Sequence, residues 1–163
     1  TVTLGTGVGG GIVHNGKRID TTLEAGRLLT NYKGKLYEVE GLLSGKGIGT
    51  LCKLNGIEDI PSGKEFFEAV RQSREDIRPV YEEWKNRMAV FFADLQLLFD
   101  NEAYALSGGV RKSKDLFVED VEKKANALIE VWHLHPIVLN EALFKQDVGL
   151  AAGCALALDV LGK

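Results

Sequence analysis

Thr3-Leu4-Gly5-Thr6-Gly7-Val8-Gly9-Gly10-Gly11-Ile12-Val13-His14-Asn15-Gly16 is the stretch whose reading decides the fold. Five glycines fall between Gly5 and Gly11, where an ordinary tight turn needs one or two. Gly5, Gly7 and Gly10 satisfy the G-x-G-x-x-G spacing, but a dinucleotide fingerprint must then open a helix onto the pyrophosphate. Here Ile12-Val13-His14 reads as strand, and Asn15-Gly16 is the pair that a type I′ hairpin turn selects. A Walker A loop fails as well, because it ends in Gly-Lys-Ser/Thr and Gly11 is followed by Ile12. What remains is a glycine turn between antiparallel strands. Consecutive N–H groups in such a turn can form an anion-binding concavity, and the missing side chains let phosphate oxygens reach the backbone. Thr6 can add a hydroxyl donor. The plain alternative is a tight turn without a ligand.

Outward from that stretch, Thr1–Leu4 reads as a strand and Lys17–Asp20 as the return strand, so residues 1–20 predict two reversals in one antiparallel unit. Thr21 and Thr22 can cap a short helix to about Leu29, and Thr30–Leu36 reads as a polar loop. Val39–Leu54 predicts a helix interrupted by Gly45, Gly47 and Gly49. Ser62 and Glu65 form a capping-box pattern for a helix to about Ser73. Val80, Tyr81, Trp84, Met88, Phe91, Leu95 and Leu98 recur at helical steps and predict a long helix over Arg78–Phe99 with an apolar stripe. Phe92 beside Phe91 leaves room for a partner surface on that helix. Ala103–Leu106 reads as a buried strand, Lys114–Asn126 as a helix, Pro136–Leu139 as a strand and Val148–Leu161 as a helix of small residues. Strands alternating with helices make an α/β domain.

Of the 163 residues, 45% are hydrophobic and 26% charged, with a net charge of −3. That is a soluble, globular composition with room for one core, and it offers no electrostatic pull towards nucleic acid or anionic lipid. No apolar run approaches the roughly 20 residues that cross a bilayer. No signal-peptide pattern opens the chain, and the composition reads as cytoplasmic. The chain begins at Thr1, inside a strand pattern and without an initiator Met, which predicts a piece of a longer protein. Cys52 has no metal-spaced Cys or His, Cys154 sits in a small-residue run and reads as a core residue, and no disulfide between them is expected. His133 and His135 alternate without a third ligand. Lys33, Lys35, Lys112 and Lys114 read as solvated, and Asp115, Glu119, Asp120 and Glu122 as an exposed helix face.

A second glycine segment, Ser107-Gly108-Gly109-Val110, follows the strand Ala103–Leu106 and precedes a helix. A flat adenine could lie on such a backbone, and the pair of turns suggests a nucleotide bridging two glycine sites. Together these segments resemble the ROK family, named for repressors, open reading frames and kinases. Thr3–Ile12 looks like the family's second phosphate motif. Ala105–Val110 is similar to its adenosine segment, where glycine is more usual than Ser107. Asp147-Val148-Gly149-Leu150-Ala151-Ala152-Gly153 resembles its closing helix.

The resemblance covers the family's second half and implies an actin/hexokinase-type ATPase fold. In that fold a ribonuclease H-like α/β lobe carries a mixed sheet with antiparallel hairpins flanked by helices. Residues 1–163 would be a single nucleotide-binding C-terminal lobe of a two-lobed protein, with the N-terminal lobe absent from this chain. The implied ligand is ATP, with Mg on its phosphates. Gly5, Thr6, Gly7, Gly9 and Gly10 would serve the phosphates, and Ser107, Gly108 and Gly109 the adenosine. The implied general base, an Asp, belongs to the other lobe, so no catalytic residue is expected here and the lobe alone should not transfer phosphoryl groups. A homodimer is also implied.

Departures from the family fall at the sugar. The family's "AGExGH" becomes Ala25-Gly26-Arg27-Leu28-Leu29-Thr30, with Arg27 where Glu contacts the sugar and Thr30 where His does. A cation and a hydroxyl do not replace a carboxylate acceptor and an imidazole. The family's zinc loop follows there, but no Cys or His lies between Thr30 and Gly41, so no zinc is expected. Glu40 matches another sugar-contacting Glu and is the remaining substrate-binding candidate. A solvated carboxylate at a helix start is its plain alternative. The parent protein is therefore expected to be a sugar kinase moving the ATP γ-phosphoryl to a hexose-type hydroxyl. The alternatives are a sugar-sensing domain of a ROK-type transcriptional regulator, or a non-catalytic dimerisation domain.

Overall fold

In the computed structural model, which describes residues 1–20 and 23–143, the glycine run is half turn and half strand. Strand β1 (Val2–Leu4) reverses through Gly5–Gly7 into β2 (Val8–Gly10), antiparallel, with Val2 opposite Gly10 and Leu4 opposite Val8. β1 buries Val2 and Leu4 and exposes Thr3, the period-two pattern of a half-buried strand. Asn15 (φ 50°) and Gly16 (φ 73°) form the expected turn between β3 (Val13–His14) and β4 (Lys17–Arg18). That hairpin is a separate ladder and does not continue β1 and β2.

The sequence expectation of a helix to Leu29 and a loop to Leu36 is replaced by a hairpin. Ala25–Arg27 makes one 3₁₀ turn; β5 (Leu29–Tyr32) and β6 (Lys35–Glu38) then pair antiparallel around Lys33 (φ 49°) and Gly34 (φ 78°). The next helix breaks at Ser44 rather than at its glycines. Helix α1 (Glu40–Leu43) ends there, and the Ser44 hydroxyl caps α2 (Gly45–Lys53) by accepting the Gly47 N–H at 2.9 Å. Gly47 and Gly49 sit inside α2 because a Cβ at either would meet backbone at 2.3 and 2.2 Å. Ser62 caps α3 (Gly63–Arg71), accepting from the Lys64 N–H and donating to Glu65.

Helix α4 spans Arg78–Phe99, as its periodicity predicts. Its stripe is core: Val80, Trp84, Met88, Phe91 and Leu95 are all buried. Phe92 is buried too, edge-on to Tyr104 at 5.3 Å, so its ring belongs to the core and offers nothing to a partner. Leu98, counted in the stripe, is exposed. Trp84 is wedged among Phe66, Phe67 and Phe117, and its indole N–H donates to the Leu43 carbonyl. Each such side chain contributes roughly 1.5–3 kcal/mol by burial.

After α4 come β7 (Tyr104–Ser107), a 3₁₀ turn at Val110–Ser113, helix α5 (Lys114–Ile129) and β8 (Leu139–Glu141). α5 lies alongside α4 in the same direction: the Tyr81 hydroxyl donates to the Leu116 carbonyl, and Lys85 pairs with Asp120 at 2.6 Å. Asp115 is exposed as expected and pairs with Arg71, while Asp120 is half-buried and pairs with Lys85. The last strand sits later than Pro136–Leu139. Before it, Asn126 acts as a surrogate strand, accepting the Ile137 N–H and donating to the Ile137 carbonyl. The main sheet has the order β2-β1-β7-β8, antiparallel at β1–β2 and parallel elsewhere, flanked by helices. Thr21, Thr22, Cys154, the Asp147–Gly153 motif and the Val148–Leu161 helix lie outside the described residues.

Candidate functional site

Two neighbouring strand ends, β1 and β7, carry the two glycine segments to one place. In the parallel β1–β7 pair Thr3 stands opposite Ser107, so both turns leave the sheet on the same edge. Their backbones touch. Gly108 has φ +86°, and a Cβ there would lie 2.4 Å from the Leu4 carbonyl oxygen and 2.9 Å from the Gly5 nitrogen. Only glycine fits such a position. The Gly5 N–H donates to the Gly7 carbonyl at 2.9 Å, and the Gly5 carbonyl accepts the Gly45 N–H at 2.7 Å. The turn is therefore held between β7 and the first turn of α2.

Within this junction the candidate residues divide. Gly5 and Gly109 have open space where a Cβ would stand. Thr6 is exposed at the tip of the turn. Gly9 and Gly10 belong to β2, and Gly10 lies beneath Leu23, whose side chain would be 2.9 Å from an added Cβ. Ser107 is buried, with its hydroxyl bound to that of Thr3 at 2.8 Å. It offers a ligand backbone rather than side chain.

Glu40, at the start of α1, reaches this turn. Its Oε2 accepts the Val8 N–H at 3.1 Å and would stand 2.7 Å from a Cβ on Gly7. Glu40 is thus not the freely solvated carboxylate of the plain reading. Its Oε1 lies 3.1 Å from Arg27, which also binds Glu38 at 2.5 Å. The hydrogen bond that Arg27 donates to Glu38, with the charges of Glu38 and Glu40, stabilises the protonated guanidinium. Thr30 turns to α4, accepting from Arg87 at 3.0 Å, and Arg87 lies 4.5 Å over the Tyr32 ring. Arg87 Nε is 2.7 Å from Glu83 but too bent for a hydrogen bond, so charge rather than direction holds that pair.

Sequence reasoning missed three contributors. Gly26 passes so close to β2 that a Cβ would lie 2.4 Å from the Val8 carbonyl. Gly45 and the Ser44 cap place the α2 terminus against the turn. The run Ser44-Gly45-Lys46-Gly47 was the available signal, read there only as a helix interruption. Among the described residues no group of His, Cys, Asp and Glu has the spacing of a metal site, and no helix is long and apolar enough to cross a membrane. His135 pairs with Asp100 at 3.1 Å. Arg111, buried after the second glycine segment, pairs with Glu141, which Lys114 also binds at 2.6 Å.

The same architecture and sequence pattern occur in known proteins. The sequence model of the ROK family matches residues 1–160. An N-acetylmannosamine kinase of Escherichia coli O6:H1 is 29% identical over 161 residues, covering 91% of this chain and 53% of that protein. A ROK family glucokinase from Streptomyces griseus, in complex with glucose and AMPPNP, superposes with a TM-score of 0.75 at 24% identity, over 95% of this chain and 58% of that one. The ROK hexokinase from Thermus thermophilus gives 0.80 at 20% identity, over 98% of this chain and 57% of that one. These likenesses show the actin-like ATPase fold. The chain spans about half the length of the relatives it matches.

Proposed function

The chain belongs to the ROK family, and on that premise we propose that it is the nucleotide-binding C-terminal lobe of a sugar kinase. One observation carries the reading. The Gly108 backbone lies on the Leu4–Gly5 peptide, making one continuous glycine floor, and Gly5 and Gly109 leave it open above. A phosphate chain needs such N–H groups without side chains in the way. In this reading the Gly5–Thr6–Gly7 turn takes the phosphates and Ser107–Gly109 supports adenosine, while Gly9 and Gly10 shape the strand behind the turn. Mg, bound through the phosphates, would neutralise their charge.

Glu40 is the proposed sugar contact. A carboxylate has about four acceptor sites; Val8 and Arg27 use two of its contacts, which leaves acceptors for a sugar hydroxyl. The relatives' names, N-acetylmannosamine kinase and glucokinase, support a sugar as phosphoryl acceptor. No residue here is proposed as the general base, so the lobe alone binds without catalysing. Arg27 spent on Glu38 and Glu40 favours a second reading, a domain that senses or assembles rather than phosphorylates.

Calorimetric titration with Mg-ADP and Mg-ATP tests the nucleotide reading. Wild type should bind, and Gly5→Val should bind at least about tenfold more weakly with an unchanged melting temperature. A Cβ at Gly5 has no protein atom within 4 Å, so the added bulk is directed into the open space where phosphate would lie. Absence of wild-type binding at millimolar nucleotide would sink the proposal.

A further inference from the structure

A carboxylate placed against a phosphate-binding turn repels the ligand it borders. Glu40 is so placed: Oε2 accepts the Val8 N–H at 3.1 Å, and the group overlies Gly7. Its other oxygen faces the Arg27 guanidinium at 3.1 Å. Arg27 comes from the 3₁₀ turn Ala25–Arg27, fixed by Gly26 against Val8. Glu38 on β6 holds the same guanidinium nitrogen at 2.5 Å. Arg27, Glu40 and Val8 thus form a contiguous chain ending in the glycine turn.

We propose that Arg27 is a positioning residue for the nucleotide: it is the counter-charge that holds Glu40 oriented beside the phosphate turn. Arg27 itself does not touch phosphate. Glu38 and Glu40 already occupy one of its nitrogens, and Glu24 adds a further negative charge nearby. The surroundings therefore give Arg27 no surplus positive charge for an anionic substrate. Its role is to cancel Glu40 and pin one carboxylate oxygen, so that the other stays on Val8. The inference rests on the nucleotide reading above.

The test is a double-substitution cycle on this chain, with Mg-ADP as the probe. Arg27→Met should weaken Mg-ADP binding roughly three- to tenfold at low ionic strength, the scale of one uncompensated charge several ångströms from a phosphate in a half-solvated site. The loss should shrink at about 0.5 M salt. Arg27→Lys, which keeps the charge, should restore most of the affinity. In a Glu40→Gln background, Arg27→Met should cost clearly less, because the contact that orients Glu40 is already gone and only the guanidinium's own charge is lost. The Val8 amide resonance of the ligand-free protein should move in Arg27→Met, although Arg27 does not contact Val8.

A loss undiminished in the Glu40→Gln background and at high salt would make Arg27 merely structural and overturn the role. An unmoved Val8 amide, or undiminished Mg-ADP binding by Arg27→Met, would overturn it equally. Failure of wild type to bind Mg-ADP removes the nucleotide reading and this role together; wild-type binding with an additive cycle removes this role alone.

Discussion

Gly108 and Leu4 meet backbone to backbone, with 2.4 Å left between a Cβ on the first and the carbonyl oxygen of the second. Two segments more than a hundred positions apart in sequence are thereby pressed into one floor. Gly108→Ala violates both the space and the φ of +86°. It should cost about 2–4 kcal/mol of stability, read as a lowered urea midpoint. Gly109→Ala, one residue on and in open space, should be nearly neutral.

Trp84 is fully buried and Trp132 is 57% exposed. Trp84→Phe keeps most of the aromatic packing but leaves the Leu43 carbonyl without its donor, which should cost about 1–3 kcal/mol. The remaining emission should be red-shifted and readily quenched by acrylamide. Trp132→Phe should leave stability unchanged and the emission blue-shifted and protected.

Ion pairs set the acid limit of the fold. Arg74 holds Asp59 and Asp76 below the usual carboxylate range, Arg71 does so for Asp115, and Lys85 for Asp120 and Glu82. A carboxylate lowered in the folded state binds its proton more readily unfolded. Its contribution is complete above the unfolded value and disappears as pH falls through the folded one. Urea midpoints should therefore be level between pH 7 and about pH 5 and fall below about pH 4. The Arg71 and Arg74 pairs are largely solvent-exposed, whereas Lys85 is buried, so 0.5 M salt should shrink the slope through the Arg71 and Arg74 pairs.

Where the family's zinc loop would follow Thr30, this chain has the β5–β6 ladder, closed by Lys33–Gly34 and tied to the turn after α2 by Tyr32 and Lys33, both bonded to Asn55. Backbone pairing and these side chains hold it. EDTA should leave the melting temperature unchanged, and a fall on chelation would reveal a metal.

Elements with strong local causes were legible in the sequence. The α4 stripe, the Asn15-Gly16 turn and the Ser62 cap each depend on neighbours within one or two turns of chain. The β5–β6 hairpin was not legible, because Lys33-Gly34 lacks the Asn or Asp that marks a type I′ turn and little of either strand is buried. β8 was misplaced because the Asn126 side chain, on α5, satisfies Ile137 in place of a neighbouring strand. The glycine segments announced their turns, and the family resemblance announced their pairing. The residues that brace them, Gly26 and Gly45, act through contacts visible only once β2 and α2 are in place.

The hydroxyls of Thr3 and Ser107, 104 positions apart, meet where β1 pairs with β7. β1 is thus an interior strand whose second neighbour is made much later in synthesis. At about 5–20 residues per second, the β1–β2 hairpin waits some 5–20 s on the ribosome with the β1 edge that β7 will cover still bare. In that interval it is a template for foreign strands. The protein's vulnerability to aggregation is therefore greatest before β7 emerges, and its yield in cells should respond to translation speed and chaperone supply more than its final stability suggests.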